Sequence, residues 1–386
     1  MAGLRAYLDH NASAPLLDAA RQAMVAALDV TANPSSVHAE GRAARRIVED
    51  ARRDVAALVG AKPEHVIFTS GATEAAATLL TPDWRMGRSV LRMSRLYVSS
   101  ADHPCILGGG RFAADRVARI GVDAQGVADL GALALVLAGH DKAEGLPLVA
   151  IHAANNETGV IQPLAAIAAL VKAAGGVLVV DAVQAAGRIP LDMSGAYGDF
   201  LILSSHKIGG PKGVGAIVGN SDVMMPAPLI SGGGQEKGHR AGTENLPGIA
   251  GFGAAARKAL TALSEIEIVR GLRDRFEQSI RTLAPDAEIH GANADRIANT
   301  SFFSVPGLKA ETAQIAFDLA GIALSAGSAC SSGKVGPSHV LQAMGHVDGL
   351  GALRVSIGPQ TADAELDLFS DALAKLLARS RVTKAA

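Results

Sequence analysis

The sequence predicts an α/β fold built on a mainly parallel sheet, and three stretches carry that prediction. They are Val66-Ile67-Phe68-Thr69-Ser70-Gly71, Val177-Leu178-Val179-Val180-Asp181 and Phe200-Leu201-Ile202-Leu203-Ser204-Ser205-His206-Lys207. Each is a short apolar run that ends in glycine, hydroxyl or charged residues. Runs of this length, bounded by turn residues, read as buried strands. Pro163 opens a helical stretch to Ala174 between the strand 148–153 and the strand 177–181. That is a βαβ unit, parallel and right-handed. In open α/β sheets the ligand crevice lies outside the carboxyl ends of the strands, so these strand ends are where chemistry is expected.

In chain order, residues 1–14 read as a short extended arm. Asn33-Pro34-Ser35-Ser36 is a turn, with Ser36 placed to cap the next helix. That helix, about Val37 to Val59, has Ala43, Ile47, Ala51, Val55 and Leu58 at helical spacing. Arg42, Arg45, Arg46, Glu49, Arg52 and Arg53 read as a solvated basic face. Strand Val66–Ser70 and a helix from Ala72 follow. Pro82–Arg95 holds Trp84 and four arginines and shows no clear period. Tyr97–Ala101 is a strand that delivers Asp102-His103-Pro104, and Leu148–Ala153 one that delivers Asn155-Asn156-Glu157-Thr158-Gly159. After Lys207 the run Val214–Gly219 returns as a strand. Gly232–Arg240 is a glycine-dense loop, expected to be mobile. A single long helix, about Leu246 to Leu283, is expected to join two domains. Beyond it the pattern is strand, helix, strand, with Leu353–Ile357 and a last helix, Asp363–Ala378.

With 386 residues, 49% of them apolar, the chain suits two domains and a large core. A net charge of −1 argues against nucleic acid and anionic membrane surfaces as partners. Two cysteines far apart, Cys105 and Cys330, exclude a disulfide scaffold and favour a reducing cytosol. No apolar run reaches the length of about 18 residues that a membrane span needs.

Four residues stand out chemically. A lysine at a strand end, Lys207, can form a Schiff base, which is how pyridoxal phosphate (PLP) is held. The bland alternative is a solvated lysine in a turn. A carboxylate closing an apolar strand, Asp181, is expensive unless paired, and a PLP pyridinium is a fitting partner. The strand, glycine turn and helix start at 66–75 make an anion site for a phosphate. Cys330 sits among Ser, Ala and Gly in 324–333, flanks that cannot bury a thiol in a core. The stretch is no P-loop, because Val335 follows Lys334 where Ser or Thr is required. A thiol in such a loop suits a nucleophile. Cys105 reads as packing. Arg354, on an apolar strand, needs an anion: a substrate carboxylate held by its fork, or an intramolecular salt bridge.

The sequence resembles the NifS/IscS-type cysteine desulfurases, PLP enzymes of fold type I in the class V aminotransferase family. The motifs run in the family's order along nearly the whole chain. They are Tyr7-Leu8-Asp9-His10-Asn11-Ala12, Asn33-Pro34-Ser35-Ser36-Val37-His38, Phe68-Thr69-Ser70-Gly71-Ala72-Thr73-Glu74, His103-Pro104 and Asn155-Asn156-Glu157-Thr158-Gly159 in the first part. Asp181-Ala182-Val183-Gln184, Ser204-Ser205-His206-Lys207, Gly234-Gln235-Glu236 and Arg240-Ala241-Gly242-Thr243-Glu244-Asn245 follow. Gly327-Ser328-Ala329-Cys330-Ser331-Ser332, Pro337-Ser338-His339-Val340-Leu341 and Leu353-Arg354-Val355-Ser356 complete the set. One departure is that Glu74 is followed by three alanines where the family carries asparagines.

The resemblance implies a large PLP domain at 15–255 with a mainly parallel seven-stranded sheet. It also implies a smaller C-terminal α/β domain at 256–386 that carries the Cys330 loop, with the arm 1–14 packed on it. Lys207 would hold PLP, Asp181 its ring nitrogen, and Gln184 and Asn156 its ring-side groups. Ala72, Thr73, Ser204, His206 and a partner copy's Thr243 would hold the phosphate. His103 would stack on the ring and assist proton transfer, and Arg354 with Asn156 would bind the substrate carboxylate. Cys330 would take sulfur from L-cysteine as a persulfide, leaving alanine. The protein is then a cytoplasmic homodimer that passes sulfur to an iron–sulfur scaffold or another acceptor, with no metal at the site. A selenocysteine lyase, another fold type I lyase or a transaminase is the alternative within this chemistry. A catalytically idle subunit that docks a scaffold is the alternative outside it.

Overall fold

The computed structural model describes residues 5–195, 197–327, 338–346 and 351–385, with side chains to residue 379. Cys330 lies outside the described residues. The chain opens with a two-residue strand, β1 (Ala6–Tyr7), and two helices, α1 (Asp18–Leu28) and α2 (Ala39–Leu58). Helix α2 starts later than the sequence suggests. His38, not Ser36, caps it, its ring nitrogen accepting the Gly41 N–H. Strand β2 (Val66–Thr69) and helix α3 (Ala72–Leu79) stand as expected.

The segment without a period is a hairpin, β3 (Asp83–Met86) and β4 (Ser89–Ser99), turned at Gly87 with φ 58°. Its turn end is exposed, with Arg85, Arg88 and Arg92 facing water, while Trp84, edge-on to Phe200 at 5.3 Å, and Met93 are buried in the core of the large sheet. That leaves no alternation to read. Next come α4 (Pro104–Leu107), β5 (Val117–Ile120), α5 (Leu130–Ala138), β6 (Leu146–His152), α6 (Leu164–Ala174), β7 (Val177–Asp181), β8 (Phe200–Ser204), β9 (Gly215–Gly219) and β10 (Met224–Pro226). The sheet runs β10-β3-β4-β6-β7-β8-β9-β2, with β5 also on β4. Strands β5, β4, β6, β7 and β8 are parallel; β9 is antiparallel to both its neighbours. With β2 these make the seven strands expected, and β3 and β10 extend them to nine. Pairing of His152 with Asp181, and of Asp181 with Ile202, sets the carboxyl ends of β6, β7 and β8 side by side.

The expected long helix is two, α7 (Leu246–Ala262) and α8 (Ile266–Leu283), separated by a 3₁₀ turn at Leu263–Glu265. The break has a packing reason. Phe252, Ala256 and Ala259 of α7 belong to the core of the large sheet, while Val269, Phe276 and Ile280 of α8 belong to a second core. That second core covers a four-stranded antiparallel sheet, β11-β12-β15-β14. The elements of this part of the chain are β11 (Glu288–Ile289), β12 (Thr300–Ser304), α9 (Ala310–Leu319), β13 (Ile322–Ala323), β14 (Ser325–Ala326), α10 (His339–Ala343), β15 (Leu353–Ser356) and α11 (Asp363–Ala385). Strand β1 pairs in parallel with β13, and Ala6 and Leu8 are buried in this core.

The basic face of α2 is not uniformly solvated. Arg52 gives both terminal nitrogens to the buried Glu236 carboxylate at 2.8 Å each, and its guanidinium lies 4.9 Å from the Phe68 ring centre. Glu236 also accepts the Phe68 N–H. This pins the glycine-dense loop at its middle, where Glu236 and Lys237 hold φ of 46° and 56°, a region side chains rarely adopt. Arg52→Ala would leave Glu236 buried without its counter-charge. It should lower stability by about 3–5 kcal/mol in chemical denaturation. Arg53→Ala, at an exposed position, should change it by less than about 0.5 kcal/mol. Equal effects would return Arg52 to the solvated face.

Candidate active site

The strand ends and the start of α3 surround a cavity of about 500 Å³. Its wall brings together Lys207, Asp181, His103, Asn156 and Gln184 with Ala72, Thr73, Ser204 and His206. Two lining residues that the sequence reading missed are His152 and Lys212. Thr243 is exposed and lines an adjoining cavity of about 220 Å³ that shares Ser70, Gly213 and Val214 with this one.

Strand β8 ends in a 3₁₀ turn, Ser205–Lys207, which aims Lys207 at the arm. Its Nζ donates to the Asn11 carbonyl at 2.6 Å and the Ala12 carbonyl at 3.0 Å. On the neighbouring strand, Asp181 Oδ1 accepts the Val183 N–H at 3.0 Å. Burial raises the carboxyl pKa; the Val183 bond and the nearby His103 act in the opposite direction. A desolvated carboxylate on a cavity wall is a place for a cationic group.

His103 caps α4, its Nδ1 accepting the Cys105 N–H at 3.2 Å. That puts the ring proton on Nε2, and burial lowers the pKa so that the ring stays neutral. The Cys105 thiol lies 3.1 Å from the same Nδ1, and burial, with Asp181 and Asp102, pushes its pKa well up. It is a protonated, unreactive thiol. Behind the wall, Asp102 Oδ1 takes His152 Nδ1 at 2.6 Å, and Gln162 Nε2 meets His152 Nε2 at 3.0 Å. The signal for this pair was present in part: Asp102 precedes His103, and His152 ends β6 beside Asp181.

The end of the cavity at the start of α3 has different chemistry. No side chain caps α3, and Gly71 precedes it. Its first N–H groups therefore belong to the residues that line the cavity, which suits an anion. Gly215 is required here, because a Cβ would stand 2.7 Å from the Gly71 backbone. His206 joins this end with its pKa lowered from 6.5 to about 4, by burial first and then by Lys207 and Lys212.

Asn156 and Gln184 turn out to be tied to the arm. The Asn156 carbonyl accepts Asn11 Nδ2 at 3.2 Å and Arg354 Nη1 at 2.9 Å. Gln184 Nε2 donates to the Asn11 carbonyl, and its Oε1 accepts from the buried Arg188. Arg354 is buried on β15, and its Nη2 donates to Asp9 Oδ1 at 2.7 Å and Ser325 Oγ at 3.1 Å. Of the two anions the sequence left open for it, the intramolecular one is present. These residues fit PLP: an amine on one strand end, a desolvated carboxylate on the next, a neutral imidazole on the wall, and an uncapped helix start beside Lys212 and His206. Cys330 lies outside the described residues.

Comparison with known proteins agrees with this geometry. The family described as Aminotransferase class-V matches residues 6–369. A cysteine desulfurase of Cereibacter sphaeroides is 40% identical over 98% of this chain and 97% of its own length. One of Frankia sp. (strain EuIK1) is 39% identical over 97% and 92%. Among solved structures, a NifS-like protein from Rickettsia africae ESF-5 superposes with a TM-score of 0.85 at 30% identity, covering 97% of this chain and 99% of that one. SspA in complex with cysteine does so at 0.74 and 27%, covering 92% and 100%.

Burial also depresses His10 from 6.5 to about 4, with repulsion from Arg188 adding to it. Both His10 and His206 are thus neutral in the folded, cofactor-free protein while the unfolded chain protonates near 6.5. The unfolded state then binds more protons between those values, so stability is full above 6.5 and is lost as pH falls through about 4. Thermal unfolding of the cofactor-free protein should show the melting temperature dropping across that window. Replacing His206 by Asn should flatten the slope; an unchanged slope would exclude it as a contributor.

Proposed function

This chain belongs to the aminotransferase class-V family and is a PLP-dependent cysteine desulfurase, and we propose that it forms its persulfide on Cys330 by using the residues around Lys207. The observation that carries this reading is the pairing, in one cavity, of Lys207 and Asp181 on adjacent strand ends. When bound, PLP supplies a cationic ring that withdraws electrons from the substrate Cα.

Each residue then has a task. Asp181 balances the positive ring nitrogen. Lys207 Nζ would anchor the cofactor and, as a free amine, would hold the proton taken from the substrate Cα. His103 Nε2–H would donate to charge that develops on the bound ligand. The N–H groups of Ala72 and Thr73, the Ser204 hydroxyl and His206 bind the phosphate, and Gln184 and Asn156 hold ring-side groups. Arg354, oriented by Asp9, receives the L-cysteine carboxylate together with Asn156. The Cys330 thiolate attacks the substrate sulfur. An S–S bond forms, the Cβ–S bond breaks, its electron pair stays with carbon, and a proton on Cβ together with the return of the Cα proton from Lys207 completes alanine. The sulfur then passes to an iron–sulfur scaffold or another thiol acceptor.

We further propose a homodimer in which each copy lends Thr243 to the other's phosphate site. The support is that Thr243 is exposed beside a cavity that shares lining residues with the main one. A cytoplasmic setting agrees with the cysteine count and with the fact that no described helix is long and apolar enough to cross a membrane.

The protein should be yellow, and hydride reduction should lock the cofactor onto a peptide that contains Lys207. A colourless protein that takes up no added PLP would end the assignment. Asp181→Ala should release PLP far more readily than Glu311→Ala, measured by the cofactor retained after dialysis.

Cys330→Ser should keep the colour yet lose alanine formation from L-cysteine by at least on the order of 10³-fold. Cys105→Ala should stay near normal. Full activity of the Cys330 variant on L-cysteine would instead support a lyase or transaminase. Selenocysteine is the control, because its selenium can leave without a protein thiol.

A further inference from the structure

One cluster of titratable side chains has no part in the chemistry above. Glu288 on β11, His290 just after it, and His346 just beyond α10 meet at the rim of the small sheet. Their ligand atoms all lie within 4.8 Å of one another. Glu288 Oε1 is 3.7 Å from His290 Nδ1 and 3.7 Å from His346 Nε2. The two imidazoles stand edge to face with centres 4.6 Å apart.

The set is built rather than accidental in its orientation. His290 is buried, with its backbone N–H on the Phe302 carbonyl at 2.8 Å and its ring 5.5 Å from that of Phe302. Its Nε2 lies 3.0 Å from Ser304 Oγ. An Nε2–H donated to that hydroxyl leaves the lone pair on Nδ1, the nitrogen turned to Glu288. A partner on the far nitrogen is how metal-bound histidines are oriented. His346 and Glu288 stay open to water on the other side, at 26% and 57% side-chain exposure.

Two imidazoles and one carboxylate form a donor set for zinc-type cations, with a water as fourth ligand. Ligand bonds of about 2.0–2.1 Å put tetrahedral ligand atoms about 3.3–3.4 Å apart. Rotation of the exposed Glu288 and the half-exposed His346 would close the gap from 3.7 Å at Glu288 and from no more than 4.8 Å between the two imidazole nitrogens. Hard cations such as calcium or magnesium would want more oxygen than this set offers.

We propose that Glu288, His290 and His346 bind a divalent transition cation of the zinc type. The cation joins the edge strand β11 to the far end of α10. The near end of α10 is already held to the large domain, where His339 Nε2 meets the Asp102 carbonyl at 2.9 Å and Ser338 meets Glu157. A bound cation therefore fixes both ends of the helix that follows Cys330 in the chain.

The test is a Zn²⁺ titration of the PLP-loaded protein by calorimetry, with the melting temperature followed in parallel. About one Zn²⁺ per chain is expected, with a rise in melting temperature that a chelator reverses. His346→Ala and Glu288→Gln should each weaken binding by at least about 10–100-fold, as loss of a ligand or its orienting partner does. Both residues are at the surface, so the variants keep the fold, whereas buried His290 is left in place. Cys330→Ala should bind Zn²⁺ like the parent. No binding by the parent, binding unchanged in His346→Ala, or binding lost in Cys330→Ala would each overturn the site.

Discussion

The geometry of the site depends on one buried asparagine. Asn11 is 1% exposed, and every polar atom of it is used. Its carbonyl accepts Lys207 Nζ and Gln184 Nε2; its N–H donates to Ser356 Oγ. Its side-chain nitrogen reaches the Asn156 carbonyl and Thr300 Oγ1, and its side-chain oxygen takes Asn299 Nδ2. Lys207, Gln184 and Asn156 come from the large sheet; Thr300, Asn299 and Ser356 come from or flank the small one. In a low-dielectric interior a network is worth keeping only when fully satisfied, and removing one member strands the others. The arm therefore fixes the lysine and the angle between the two sheets in a single step.

Around that anchor the charges are laid out by desolvation. Asp181 and His103 share the wall, and burial pushes each toward its neutral form. Arg188 and Arg354 are both buried behind it, and their mutual repulsion adds to the burial that brings Arg188 down to about 10. Asp9 offsets part of this positive charge through Arg354. Such a site is unfavourable as it stands and favourable toward a ligand with a cationic ring, an anionic phosphate and a carboxylate. Those are the charges of PLP and an amino acid, and the stability withheld from the protein becomes binding energy for them.

Several departures from the sequence reading share a cause. The hairpin β3–β4 is exposed from residue 85 to 90 on both faces of its turn, so only Trp84 and Met93 mark a buried side and no alternation shows. The break at Leu263–Glu265 lies between two cores that each take one amphipathic helix, and local propensity does not reveal which core claims which turn. Arg52 has the same sequence context as Arg45 and Arg46, and only the arrival of Glu236 from a distant loop separates it from them. His38 took the cap from Ser36 because the chain turns into the helix two residues later than the serine allows.

The sequence by itself determined the strands that are buried on both faces and the residues that close them. Apolar runs ending in Asp181 and in Ser204 through Lys207 are legible because burial leaves no choice of composition, and a charge at such an end needs a partner. Motif order added the family, and with it the roles offered for His103, Gln184 and Asn156. The tertiary structure alone decided the partners. That Arg354 meets Asp9, that Lys207 meets Asn11, and that Glu288, His290 and His346 share one corner follows from chain segments far apart in sequence. Hydrogen-bond and ion-pair partners are chosen by distance in space, and no local pattern of residues encodes it.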